Sequence, residues 1–175
     1  MMSIGIFIIR MVVGLLFVGH GGQKLFGWFD GKGIRGTESW LSSLGLRPAR
    51  PLAFLVGVSE LGGGILFALG LLNPLGSLGI IASMIMAIAL VHWPNVWSTQ
   101  NGFEYPLVNL AVASGIALTG PGFYSLDALA NTGLPMPGTF LIGLALVVIS
   151  SIVILQTRAR KTSEKKKQIW ERHAA

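Results

Sequence analysis

Residues 51–72 read PLAFLVGVSELGGGILFALGLL, an apolar run in which Glu60 is the single charged side chain. At 1.5 Å per residue such a run, coiled as a helix, is about 33 Å long, enough to cross the roughly 30 Å hydrocarbon core of a bilayer. Residues 74–93, PLGSLGIIASMIMAIALVHW, repeat the pattern with no Asp, Glu, Lys or Arg. Pro51 and Pro74 stand where a helix can start, because the first turn has no intrahelical acceptor for the N–H that proline lacks. Three further segments extend the reading. Ile4 to Phe26 is apolar but interrupted by Arg10, His20, Gln23 and Lys24, and Glu104 to Gly120 and Thr139 to Leu155 are shorter runs.

Composition agrees. Of 175 residues, 52% are hydrophobic and 11% charged, against roughly 25% charged in an average soluble protein, and the mean hydropathy is +0.68. Seven of the 13 Lys and Arg residues follow Gln156, so the rest of the chain has too few charges to cover a soluble globule. The expected fold class is all-α: a polytopic transmembrane helix bundle of five spans, at about 4–26, 51–72, 74–93, 104–120 and 139–155. Residues 1–130 form the bundle, 131–157 an additional membrane helix and 158–175 a basic cytoplasmic tail. The net charge of +6 is assigned to topology, since no groove-reading element or basic face of a soluble fold accompanies it; nucleic acid is not an expected partner. With no cysteine, thiolate nucleophiles, disulfides and iron–sulfur ligation are excluded within the chain.

Basic residues set the orientation. The first loop holds Lys32, Arg35, Arg47 and Arg50, the tail holds Arg158, Arg160, Lys161, Lys165, Lys166, Lys167 and Arg172, and no other connection carries one. Four spans separate the two segments, so both face the cytoplasm when the N-terminus is outside. The localisation expected is a multi-pass protein of the cell membrane, its tail drawn to anionic lipid. Within the first loop, Thr37 is placed to cap a helix with Trp40, Leu41 and Leu44 on one face, lying on the inner surface or closing as a lid over a cavity. Ser125-Leu126-Asp127 starts another short helix in the outer loop.

Ionisable side chains inside a bilayer cost about 2.5–3.5 kcal/mol each on insertion scales, so they face the bundle interior and have a partner. From helix rise and span midpoints, His20 lies about 7 Å and Glu60 about 3 Å on the cytoplasmic side of centre, His92 and Glu104 about 11–12 Å, and Arg10 about 8 Å on the other side. His20, Glu60, His92 and Glu104 are therefore expected to converge on one inward-opening cavity. Arg10 is expected to neutralise Glu60 as a buried ion pair. Lys24 either snorkels to the interface or joins the cavity. His20 is either a hydrogen-bonded bundle histidine or a proton-exchanging group, a role that suits imidazole near neutral pH. His20 and His92 on neighbouring helices could in principle ligate haem or a metal, but two histidines are a weak signal, and no metal is expected. The glycines Gly57, Gly62, Gly63, Gly64, Gly76 and Gly79 are read as close helix contacts.

Arg10, Gly14, Gly19-His20-Gly21 and Lys24 in the first span, Ser59-Glu60-Leu61-Gly62-Gly63 in the second, Glu104, and Gly120-Pro121-Gly122-Phe123-Tyr124-Ser125-Leu126-Asp127 occur in an order that resembles the DoxX family of small bacterial membrane proteins. The resemblance covers roughly residues 4–130 and implies a four-helix membrane bundle, from which the fifth span and the tail depart. It also implies a link to quinone, catechol and membrane redox complexes, the family name coming from a subunit of a thiosulfate:quinone oxidoreductase. Three functions follow. The first is a membrane subunit of a redox complex in which His20 and Glu60 exchange protons with a quinone or phenol bound by Arg10, Lys24, His92 and Glu104. The others are a scaffold that recruits a soluble oxidoreductase, and a small transporter.

Overall fold

The computed structural model describes residues 2–174, and the side chains of residues 3–156 and 158. Regular structure among them is helical: α1 (Met2–Leu25), α2 (Gly33–Ser43), α3 (Ala49–Leu69), α4 (Leu75–Ala87), α5 (Glu104–Thr119), α6 (Leu126–Ala130) and α7 (Gly138–Ala174). A π-helical turn, Ile88–His92, extends α4. Four helical segments are long and apolar enough to cross a membrane: Ser3–Leu25, Ala49–Leu69, Leu75–His92 and Gly138–Gln156. α5, with 16 residues, is shorter than these and packs along α4. The all-α membrane bundle read from the sequence is the observed architecture.

α1 and α3, α3 and α4, and α4 and α5 run antiparallel, whereas α7 runs parallel to α4. One end of the bundle, here the basic end, gathers the end of α1, the short helix α2, the start of α3 and the stretch of α7 around Ile154; Arg158, the first basic residue of the tail, lies there beside Gly45 of the basic loop. α6 and residues 70–74 lie at the other end, where Asp127 N donates to Gly70 O.

Small residues let the backbones meet. A Cβ on Gly14 would sit 2.7 Å from Ala68 N and Gly64 O, and one on Gly64 2.7 Å from Gly14 O; Gly14 and Gly64 thus bring α1 and α3 into backbone contact, which any side chain would prevent. Gly63, Gly76 and Gly79 do the same between α3 and α4, whereas Gly62 faces open space. Phe17, Phe67, Ile80, Ile81, Ala113 and Phe140 fill the centre. Large apolar side chains such as Ile8, Val12 and Leu16 of α1 face outward, an arrangement a bilayer satisfies and water does not.

Two local expectations change. Thr37 does not cap α2; Lys32 precedes the helix, and the Thr37 hydroxyl is shared between Gly33 O at 3.0 Å and Lys24 O at 3.1 Å. Its sequence signal, a hydroxyl ahead of an apolar face, is the same in either place; the contact with the end of α1 decides the register. α7 does not end with the apolar run at Leu155 but continues as a helix into the basic segment. The expected attachment of that segment to anionic lipid falls on side chains outside the described residues, apart from Arg158.

Candidate functional site

Glu60 sits eleven residues into α3, beyond the reach of water at the helix ends, and is 4% exposed. A buried carboxylate needs a cation or several donors. It has both: Lys24 Nζ donates to Oε2 as an ion pair, and the Ser83 hydroxyl of α4 donates to Oε1 at 2.5 Å. Lys24 ends α1, and its flexible four-carbon stem lets the ammonium turn inward to Glu60; its side chain remains 26% exposed, so the pair is connected to the basic end. Of the two roles left open for Lys24, the structure selects the interior one.

The pair forms the polar wall of a cavity of about 160 Å³. Leu55 and Val56 of α3 and Met86 and Leu90 of α4 make it apolar, and Trp40 and Leu41 of α2 cover it at the basic end. Ser150, Ser151 and Ile154 of α7 close the remaining side. The Ser151 hydroxyl is spent on Val147 O at 2.8 Å. The site therefore offers an ammonium, a carboxylate and an aromatic ring at the mouth of an otherwise apolar chamber, a combination suited to a flat ligand with one polar end.

Other expected site residues lie elsewhere. Arg10 does not pair with Glu60. It is 1% exposed, and its Nη1 and Nη2 donate to Pro121 O at 2.6 Å and Tyr124 O at 2.5 Å in the connection between α5 and α6. A guanidinium presents a fork of donors that matches two carbonyls, and the backbone of residues 121–124 supplies them where the depth estimate saw only carboxylates. His20 is exposed on the outer surface of α1, edge-on to Phe17, and does not line the cavity. His92 Nδ1 is 2.7 Å from Asn101 O, and Glu104 accepts from Ser98 at 2.7 Å; both fasten the connection between α4 and α5, where Trp93 and Phe103 also stack. The convergence of four ionisable residues is thus corrected to one pair, Lys24 and Glu60. Depth alone could not give the azimuth of a side chain about its helix, and that is what separates them. Among the described residues no three metal-ligating side chains gather.

Two residues with structural weight escaped the sequence reading of the site. Ser83 stands near the middle of its run, at almost the depth of Glu60, and a search for hydroxyls at that level finds it. Asp127 accepts from Leu72 N and Asn73 N, each at 2.8 Å, and from the Thr132 hydroxyl at 2.9 Å. Its partners are largely backbone groups more than fifty residues away, which leave no side-chain signature.

Comparison with known proteins bears on this arrangement. The family model described as DoxX matches residues 5–93, which include Lys24, Glu60 and Ser83. "Inner membrane protein YqjF" of Escherichia coli (strain K12) is 28% identical over 132 residues, 74% of this chain and 94% of its own. "Putative oxidoreductase CatD" of Bacillus subtilis (strain 168) is 29% identical over 131 residues, 75% of this chain and 90% of its own. No solved structure matches.

Proposed function

Because the chain belongs to the DoxX family, we propose that it is the membrane component of a redox complex, with the Lys24–Glu60 cavity as the binding site for a quinone or phenol ring. The observation that carries this reading is the cavity itself: about 160 Å³, apolar on most sides, with a buried carboxylate paired to a partly exposed ammonium on one wall. An apolar cavity of about 150 Å³ accommodates a benzene ring. The oxidoreductase in the printed name of CatD points in the same direction.

In this mechanism Lys24 Nζ donates a hydrogen bond to one quinone oxygen while Trp40 covers the ring. Reduction to the hydroquinone takes two electrons and two protons. The electrons come from a soluble oxidoreductase at the basic end, since the chain has no thiol to carry them. The oxygen beside Lys24 takes its proton from the Lys24–Glu60 pair, which is replenished through the partly exposed ammonium; the far oxygen takes its proton from water at the same end. For a catechol the direction reverses, and Glu60 accepts the phenolic proton. The catalytic roles first given to His20 and Glu60 thereby pass to Lys24 and Glu60, with Ser83 positioning the carboxylate.

The test is quenching of Trp40 fluorescence by methylbenzoquinone in protein reconstituted into nanodiscs, with Trp40→Phe to identify the signal. Glu60→Gln is expected to weaken binding by about tenfold or more, the loss of about 1.4 kcal/mol, and His20→Leu to leave it unchanged. Equal affinities in the parent and Glu60→Gln would refute the site.

A further inference from the structure

The cavity is not closed on all sides. Three of its lining residues are exposed: Leu55 of α3, at 59%, Ser150 of α7, and Trp40 of α2, at 42%. Leu55 and Ser150 therefore belong both to the inside of the chamber and to the outer surface of the bundle. They mark its opening. α7 lies against α4, and among the described residues it has no comparable contact with α3, so the opening is the slot between α3 and α7.

Its depth decides what it opens to. Leu55 is six residues from Ala49, where α3 begins, and Ser150 six residues from Gln156, where the apolar part of α7 ends. Both positions are about 9 Å along the helix from the basic end. Two helices of 21 and 19 residues match a hydrocarbon core of about 30 Å, so 9 Å from their ends is acyl-chain territory rather than headgroup. The neighbours of the slot on α3, Phe54 and Val58, and on α7, Ile149 and Val153, are exposed and apolar. A slot with such a rim opens into lipid.

The geometry points to a lateral portal: the ring-binding cavity is filled from the bilayer through the slot between Leu55 and Ser150, and its ligand is a membrane-resident ring carrying a hydrocarbon tail that stays in the slot when the ring meets Lys24. This rests on the proposed ring site and specifies its ligand. A small, water-soluble phenol would require no opening at this depth. A tailed ring requires one, because the chamber of about 160 Å³ has no room for the tail.

Narrowing the slot separates the two ligands. Val153→Phe places a bulky side chain at an exposed rim position outside the chamber, where folding is little affected, and Val58→Phe provides a second such variant from the opposite rim. Trp40 quenching is titrated with methylbenzoquinone and with its decyl-tailed counterpart in nanodiscs of the same lipid. Each narrowed variant is expected to bind the tailed quinone about tenfold more weakly than the parent, with the ring-only quinone changed by less than about twofold. The tail's partition into lipid is common to parent and variant and cancels. Unchanged binding of both quinones, or equal weakening of both, would overturn the portal while leaving the ring site in place. Failure of the parent to bind either quinone would instead remove the ring site, and the portal with it.

Discussion

Removing Lys24 and removing Glu60 should have unequal costs, and the inequality follows from their exposure. Lys24→Met leaves a carboxylate that is 4% exposed and still accepts from the Ser83 hydroxyl. A buried pair broken on one side loses about 3–5 kcal/mol. The loss has a ceiling, because protonating an ordinary carboxyl at pH 7 costs about 3–4 kcal/mol and then removes the charge. Lys24→Met is therefore expected to lower stability by about 3 kcal/mol. Glu60→Gln keeps the volume and an oxygen for Ser83, and frees an ammonium that is already 26% exposed and swings toward water; about 1 kcal/mol is expected. The double variant should lie within about 1 kcal/mol of the parent, a coupling of about 3 kcal/mol or more. Unfolding by denaturing detergent in mixed micelles measures all four proteins. Additive costs would refute the pairing.

At the opposite end, Arg10→Lys keeps the charge but cannot reach two carbonyls with a fork, so a loss of about 2 kcal/mol is expected in the same unfolding assay; Arg10→Leu and Glu60→Leu should be additive, since the two residues belong to different clusters. Gly14→Ala forces α1 away from Gly64 and Ala68 and is expected to cost about 2–4 kcal/mol, visible as reduced folded yield on size-exclusion chromatography, whereas Gly62→Ala, which faces open space, should be neutral or slightly stabilising. For orientation, reporter fusions after Ala175 and beside Pro137 are expected on opposite sides of the membrane, cytoplasmic and external respectively; a periplasmic or extracellular signal at Ala175 would reverse the topology.

How far the site was legible depends on which coordinate of a residue matters. Depth along the membrane normal is nearly one-dimensional information, and the sequence carries it: Glu60 was placed in the interior and Arg10 and Lys24 toward opposite ends of the bundle, as the structure has them. Azimuth about the helix axis turns by about 100° per residue, so in an almost uniformly apolar span no polar face indicates which side looks inward. His20 and Lys24 are one turn apart on α1, yet His20 is outward and Lys24 inward. Helix rotation moves both together, since four residues leave them only about 40° apart; the difference is made by the long, flexible stem of Lys24, which carries its ammonium inward to Glu60, where the short imidazole of His20 does not reach. The Arg10–Glu60 pairing failed for a related reason. Counting charges treats carboxylates as the available acceptors, but a turn such as residues 121–124 exposes carbonyls that serve a guanidinium equally well.

The membrane class and the all-α architecture were determined by the sequence alone, because both rest on hydrophobic length and on the transfer cost of charge, which are properties of the chain in a slab of hydrocarbon. The partner of Glu60, the backbone cradle of Arg10, the enclosure of the cavity by α2 and α7 and its lateral slot were decided only by tertiary structure. They depend on how glycine contacts set helix distance and rotation, and no single helix contains that information.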